Sequence, residues 1–238
     1  MMRELALLAA ALSVPAFAQD PGGQEIPPVQ YPAIAKAATS PAGFIPKGWK
    51  QVQLAEGDLN RDGKSDFAMV VRMDSAANRI APSWSPETRY DTNPWMLIAG
   101  FRKGSGYELA FADHQLIPRH ENPNADEEFD EIKVAGGTLK VVMHVFMSAG
   151  GWWMGTSAFT FRSQDRGFKL IGFDRDGVMR NTGETDEVSI NYLTGRKLVK
   201  TGSIESDEQK STETRIAKKP LIDLTAIDDG LMFDPDER

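Results

Sequence analysis

Residues 52–73 read VQLAEGDLNRDGKSDFAMVVRM, and this stretch decides the class of fold. Val52 and Leu54 alternate with polar neighbours before a polar loop, and Phe67, Met69, Val71 and Met73 alternate after it. A period of two marks a β-strand with one face buried. The apolar residues of an amphipathic helix would instead recur every three or four positions. The segment therefore reads as strand, tight turn, strand.

The same rhythm continues on the C-terminal side. Beyond a polar insertion, Ser75 to Asn93, the run Trp95–Phe101 turns at Gly104-Ser105-Gly106 into Tyr107–Ala112, a hairpin signal. Phe129–Val134 is expected to pair with Leu139–Phe146 across Ala135-Gly136-Gly137. Met154–Arg162 pairs in the same way with Phe168–Phe173 across Gln164 to Gly167, and Val188–Leu193 with Lys197–Thr201 across Thr194-Gly195. Short strands with short connections, and no long amphipathic helix, predict an all-β protein. The expected architecture is an antiparallel meander or sandwich. Alternating βα units are missing, which argues against a parallel nucleotide-binding sheet.

These elements divide the chain. Residues 1–18 have the layout of a secretory signal peptide: Arg3 in a short leader, an apolar run from Leu5 to Phe17, and Ala16-Phe17-Ala18 as a small-x-small cleavage site. The apolar run contains Pro15 and falls short of the roughly 20 residues that a membrane span needs. Cleavage near Ala18 would leave a chain beginning at Gln19, periplasmic or secreted. Residues 19–47 read as an extended leader rich in Pro, Gly and Ala, with room for a helical turn at Ala33–Ala38. Residues 48–201 form the β domain, 202–219 a polar mobile loop, and 220–238 a segment that returns through Leu221, Ile222, Leu224 and Ile227 before a frayed acidic tail.

Composition excludes several classes of function. The 238 residues are 41% hydrophobic and 26% charged, an ordinary globular balance. A formal net charge of −7 argues against nucleic acid as a partner, because phosphate binding needs clustered positive charge. There is no cysteine, so disulfides, thiolate metal sites and thiol nucleophiles are ruled out.

The loop inside the opening stretch carries the chemistry. Asp58, Asn60 and Asp62 occupy positions one, three and five of a nine-residue run, Gly63 allows a sharp turn at six, and Asp66 stands at nine. Calcium takes six to eight hard oxygen ligands, and alternating Asp and Asn side chains supply them, with the carbonyl of Lys64 as the seventh-position donor. An EF-hand is excluded: position twelve is Met69 where that loop needs a bidentate Glu, and the flanks alternate as strands. The competing reading is an acidic β-turn whose side chains cap its own backbone.

The unit GDLNRDGKSDFAMVV resembles the calcium loop of FG-GAP and VCBS repeats, the blades of integrin-type β-propellers. More widely, FIPKGWK, NPWMLIAG, LIPRHENP, FKLIGFDRDG and NTGETDEVSINYLTG resemble small exported bacterial proteins carrying one such repeat. The resemblance implies calcium contact at Asp58, Asn60, Asp62, Lys64 (by its carbonyl) and Asp66. A propeller needs several blades, and only one loop here matches, so the expectation is a sandwich with blade-like hairpins.

Other segments carry weaker signals. Asp174 and Asp176, in FDRDG, read as a plain turn in preference to a second ion loop. His114 and His120 match no zinc spacing, and His144 lacks a nucleophile-elbow motif around it. The run Asp126 to Glu131 reads as a solvated acidic face. Trp152 and Trp153 must point to opposite faces of a strand, one toward the core and one outward, where it could meet a sugar or a partner protein. The functional expectation is an exported, non-enzymatic calcium-binding module serving recognition of an envelope protein or glycan. The alternatives are a periplasmic hydrolase with a structural calcium and a calcium-independent inhibitor.

Overall fold

The computed structural model describes residues 25–82 and 84–236; the expected signal peptide lies outside these residues. Fourteen strands run β1 (Ala37–Ala38), β2 (Trp49–Gly57), β3 (Asp66–Met73), β4 (Arg79–Ile80), β5 (Tyr90–Asp91), β6 (Trp95–Lys103), β7 (Gly106–Asp113), β8 (Phe129–Ala135), β9 (Thr138–Val145), β10 (Trp153–Gln164), β11 (Gly167–Met179), β12 (Glu184–Asn191), β13 (Arg196–Ser203) and β14 (Ser206–Arg215). Among the described residues only three short 3₁₀ turns interrupt them, and no helix is long and apolar enough to cross a membrane. The protein is all-β and antiparallel.

Two large sheets carry the fold. One has the order β1-β7-β6-β3-β2; the other, β14-β13-β12-β11-β10-β9-β8, is an uninterrupted seven-stranded meander. Neither closes into a barrel. The meander follows from its connections. At the β10–β11 turn, Asp165 and Arg166 both take positive φ, 53° and 62°, which suits a two-residue hairpin to strand twist. In the first sheet the long strands β2, β3, β6 and β7 form a four-stranded antiparallel meander, the topology of one propeller blade. It stacks on the seven-stranded sheet and not around a propeller axis.

Strand β3 is buried on both faces. Ala68 and Val70 join Leu97, Ala99, Phe159, Phe161 and Leu170 in the main core between the sheets. Phe67, Met69 and Val71 face the other way and pack with Met96, Ile98, Phe44 and Trp49. The second core exists because the supposed leader is a cover. Tyr31, Ile34 and Ile45 pack against it, Phe44 lies 5.3 Å from the ring of Phe67, and β1 pairs with β7. No helical turn forms at Ala33–Ala38; Ala37 and Ala38 add a strand to the edge instead.

Three further expectations are corrected. Val52 does not share a buried face with Leu54. The β2–β3 register shifts between Gln51 and Gln53, and Val52 stands 49% exposed in the bulge. The next residue, Gln53, stitches the two sheets together, donating to the Ile132 carbonyl at 3.1 Å and accepting from its N–H at 2.7 Å. The polar stretch 202–219 is no loop over most of its length, because β14 pairs with β13 along it. All ten of its residues are exposed, so no apolar alternation marks it; backbone pairing makes the strand, with the exposed Arg196–Glu213 ion pair across the ladder. The acidic tail is held down as well: Phe233 sits 5.3 Å from Phe159 and 5.4 Å from Phe173.

Candidate functional site

The nine-residue run Asp58–Asp66 connects β2 to β3 and folds on its own side chains. Asp58 accepts from the Asp62 N–H through Oδ1 at 3.1 Å and from the Gly63 N–H through Oδ2 at 2.9 Å. Asn60 Oδ1 accepts from the same Asp62 N–H at 2.9 Å, so oxygens of Asp58 and Asn60 crowd around one nitrogen. Asp62 Oδ1 accepts from the Lys64 N–H at 2.9 Å. Gly63, at φ 81°, and Arg61, at φ 64°, make the reversals this winding requires. Gly63 does so without the strain a side chain would meet. Arg61 then reaches the second sheet, donating to the Gly136 carbonyl at 3.3 Å.

Asp66 is fully buried and turned inward. Its Oδ2 accepts from the N–H groups of Leu59 (2.9 Å) and Asn60 (3.2 Å), and its Oδ1 from the Arg102 N–H on β6 (2.8 Å). Buried Leu59 anchors the start of the loop in the main core. One carboxylate thus closes the loop and ties it to the neighbouring strand.

The donors suit a hard cation in kind. Asp58, Asn60 and Asp62 contribute side-chain oxygens, and the Lys64 carbonyl belongs to the same turn. The outer oxygen of Asp62 is held by the Lys64 ammonium at 3.0 Å, and this contact first, with the Lys64 N–H second, pulls the Asp62 carboxyl below its ordinary range. Both partners are exposed, and such a pair holds weakly against water. An arriving cation would take the place of that ammonium. Among the described residues, no group of three or more His, Asp or Glu side chains is disposed to hold a metal. In the loop every carboxylate is already engaged: Asp66 on three backbone N–H groups, Asp58 on those of Asp62 and Gly63, and Asp62 on the N–H and ammonium of Lys64; only Asp66 is buried in doing so.

The other candidates fall elsewhere. Asp174 and Asp176 lie inside β11, not in a turn, accepting from Ser189 Oγ and Thr156 Oγ1, each at 2.6 Å. Their glycine, Gly177, serves packing: a Cβ there would come within 2.4 Å of the Trp153 ring. His114 stacks on Tyr31 at 3.8 Å, and His144 lies on β9 opposite Thr156. His120 is buried and pairs through Nδ1 with Glu128 Oε1 at 2.9 Å, so the acidic run is not wholly a solvated face. Beside it Arg72 lies over the Trp95 ring at 4.3 Å and bonds both oxygens of Glu127 at 2.7 Å. Sequence reasoning missed this cluster because its members come from four separate segments. No protein-family model, curated protein or solved structure matches the chain.

Proposed function

We propose that the protein is an exported calcium-binding β module that serves recognition at the cell envelope, without a catalytic role. The observation that carries this reading is the wound loop, in which Asp58, Asn60 and Asp62 lie on one tight turn with the Lys64 carbonyl. In this reading Asp66 provides the frame and adds negative charge behind the site. Calcium would be structural, bracing the β2–β3 turn where Arg61 meets the β8–β9 turn. The export signal would deliver the chain to a compartment where free calcium reaches the millimolar range, matching a site with few charges and a dissociation constant of roughly 10⁻⁴ M.

At free calcium about ten times that constant, linkage predicts about 1.4 kcal/mol of added stability. For a domain of this size the melting temperature should rise by about 3–6 °C. The test is thermal unfolding after chelator treatment, with and without calcium, together with the metal content of the purified protein. Asp62→Ala should abolish the rise and leave the chelated protein folded. An unchanged wild-type melting temperature, with no retained ion, refutes the reading. Magnesium should give a smaller rise, because it demands strict octahedral geometry and sheds its waters reluctantly.

A further inference from the structure

The face of the seven-stranded sheet that carries Phe159 and Phe173 into the core continues beyond it as a polar strip with an indole at one end. The register places Gly155 of β10 opposite Gly177 of β11, then Asp186 of β12, Thr201 of β13 and Lys210 of β14. Trp153 lies across the start of this row. A Cβ on Gly177 would run into three atoms of its ring, the nearest at 2.4 Å, so Gly177 makes the seat; one on Gly155 would meet the Asp176 carbonyl first and the edge of the ring at 2.9 Å. Yet Trp153 belongs to neither hydrophobic core and keeps part of its surface in solvent.

The ring is held in one orientation. Its Nε1–H donates to Asp186 Oδ1 at 2.9 Å, and Asp186 Oδ2 accepts from Arg175 Nη2 at 3.2 Å. The Arg175 guanidinium stands 5.9 Å from the indole centroid, and its Nε is buried without a hydrogen-bond partner. Thr201 and Lys210 extend the strip in the open. Four strand spacings of about 4.8 Å give it a length of roughly 19 Å.

We propose that this strip binds a glycan, with Trp153 as stacking platform and the Arg175–Asp186 pair as hydrogen-bonding edge. A pyranose ring presents an apolar C–H face and a rim of hydroxyls. An indole fixed in advance takes the face, and a guanidinium–carboxylate pair takes the rim, the one donating and the other accepting. Equatorial β-linkages keep successive rings in a flat ribbon, and that shape fits a strip crossing five strands. Arg175 and Asp186 offset one another, which leaves a single cation, Lys210, at the far end, and with a chain of net charge −7 this favours a neutral sugar over a polyanion. The inference supplies the ligand of the recognition role above and rests on that reading, but not on the calcium loop.

Isothermal titration and tryptophan fluorescence with cellohexaose and chitohexaose test it, with calcium and again with chelator. Saturable binding of either sugar is expected, weakened at least about tenfold in Trp153→Ala and several-fold in Arg175→Gln, and unchanged in Trp84→Ala, which removes an exposed indole elsewhere. If Trp153→Ala does not fold, Arg175→Gln decides alone. Absence of binding by both sugars, or equal binding by wild type and Arg175→Gln, overturns the proposal. Loss of sugar binding with the calcium-dependent melting shift intact refutes this inference only. Sugar binding with no such shift refutes the calcium reading only.

Discussion

Replacing Asp66 by alanine should be the most damaging single change among the polar residues of the candidate loop, for a reason independent of any ion. Its carboxylate is fully buried and accepts three backbone N–H groups, from Leu59, Asn60 and Arg102. Hydrogen bonds to a charged acceptor contribute about 1.5–3 kcal/mol each, and a donor left unpaired in the interior costs about 1–3 kcal/mol. The Leu59 N–H is buried; the other two are partly accessible and can recover water. Relief of the carboxylate's own desolvation offsets part of the loss. The balance is a destabilisation of about 3–5 kcal/mol, or about 6–20 °C in melting temperature for a domain of this size. Asp66→Asn keeps an acceptor for the loop amides but sets an N–H₂ group among donors, so it should fall between alanine and wild type. The assay is urea unfolding with chelator present, comparing midpoints at constant slope. In the same buffer Asp62→Ala, at an exposed position, should shift the midpoint little. If Asp66→Ala loses less than about 1 kcal/mol, the idea that this carboxylate frames the loop is wrong.

The join between the two sheets should also depend on one side chain: Gln53→Leu removes both bonds to Ile132 and should cost about 1–3 kcal/mol in urea unfolding, whereas an unchanged midpoint would mean that these bonds add nothing to the packing and the Arg61–Gly136 contact that also join the sheets. Phe233→Ala should cost about 1–3 kcal/mol, because its ring sits on Phe159 and Phe173; a neutral result would show the tail to be undocked in solution. Asp229 has its carboxyl raised above the ordinary 3.8 by burial, with the nearby Glu128 charge adding to it. The native state therefore binds this proton more tightly than the unfolded chain, and the group's contribution to stability falls as pH rises from that ordinary value through the raised one. Asp229→Asn should raise the melting temperature at neutral pH and lose that advantage near pH 4, and a gain that does not shrink on acidification would contradict the assignment.

How much of this was legible in the chain depends on how far apart the interacting residues lie. The hairpins at Gly104, Gly136-Gly137 and Gly195 follow from turn chemistry within a few residues, and so does the winding of Asp58, Asn60 and Asp62 around the amides of Asp62, Gly63 and Lys64. Alternation of Phe67, Met69 and Val71 marks β3 as a strand for the same local reason. What covers each face was not legible. Nothing near Ala68 and Val70 announces a second sheet over them, and nothing in the proline-rich stretch announces that Phe44 closes the opposite side. Asp66 reads as one more ligand until Arg102, 36 residues away, is seen donating to it. Glu128 reads as a solvated charge until His120 meets it in the interior. Strand β14 has no apolar face to betray it, and its ladder to β13 uses backbone groups that every residue carries. Periodicity and turn residues are local properties and survive in the sequence. Edge pairing, the burial of polar groups and the choice of what lies over a face arise only when distant segments compete for the same surface, so the tertiary structure alone decides them.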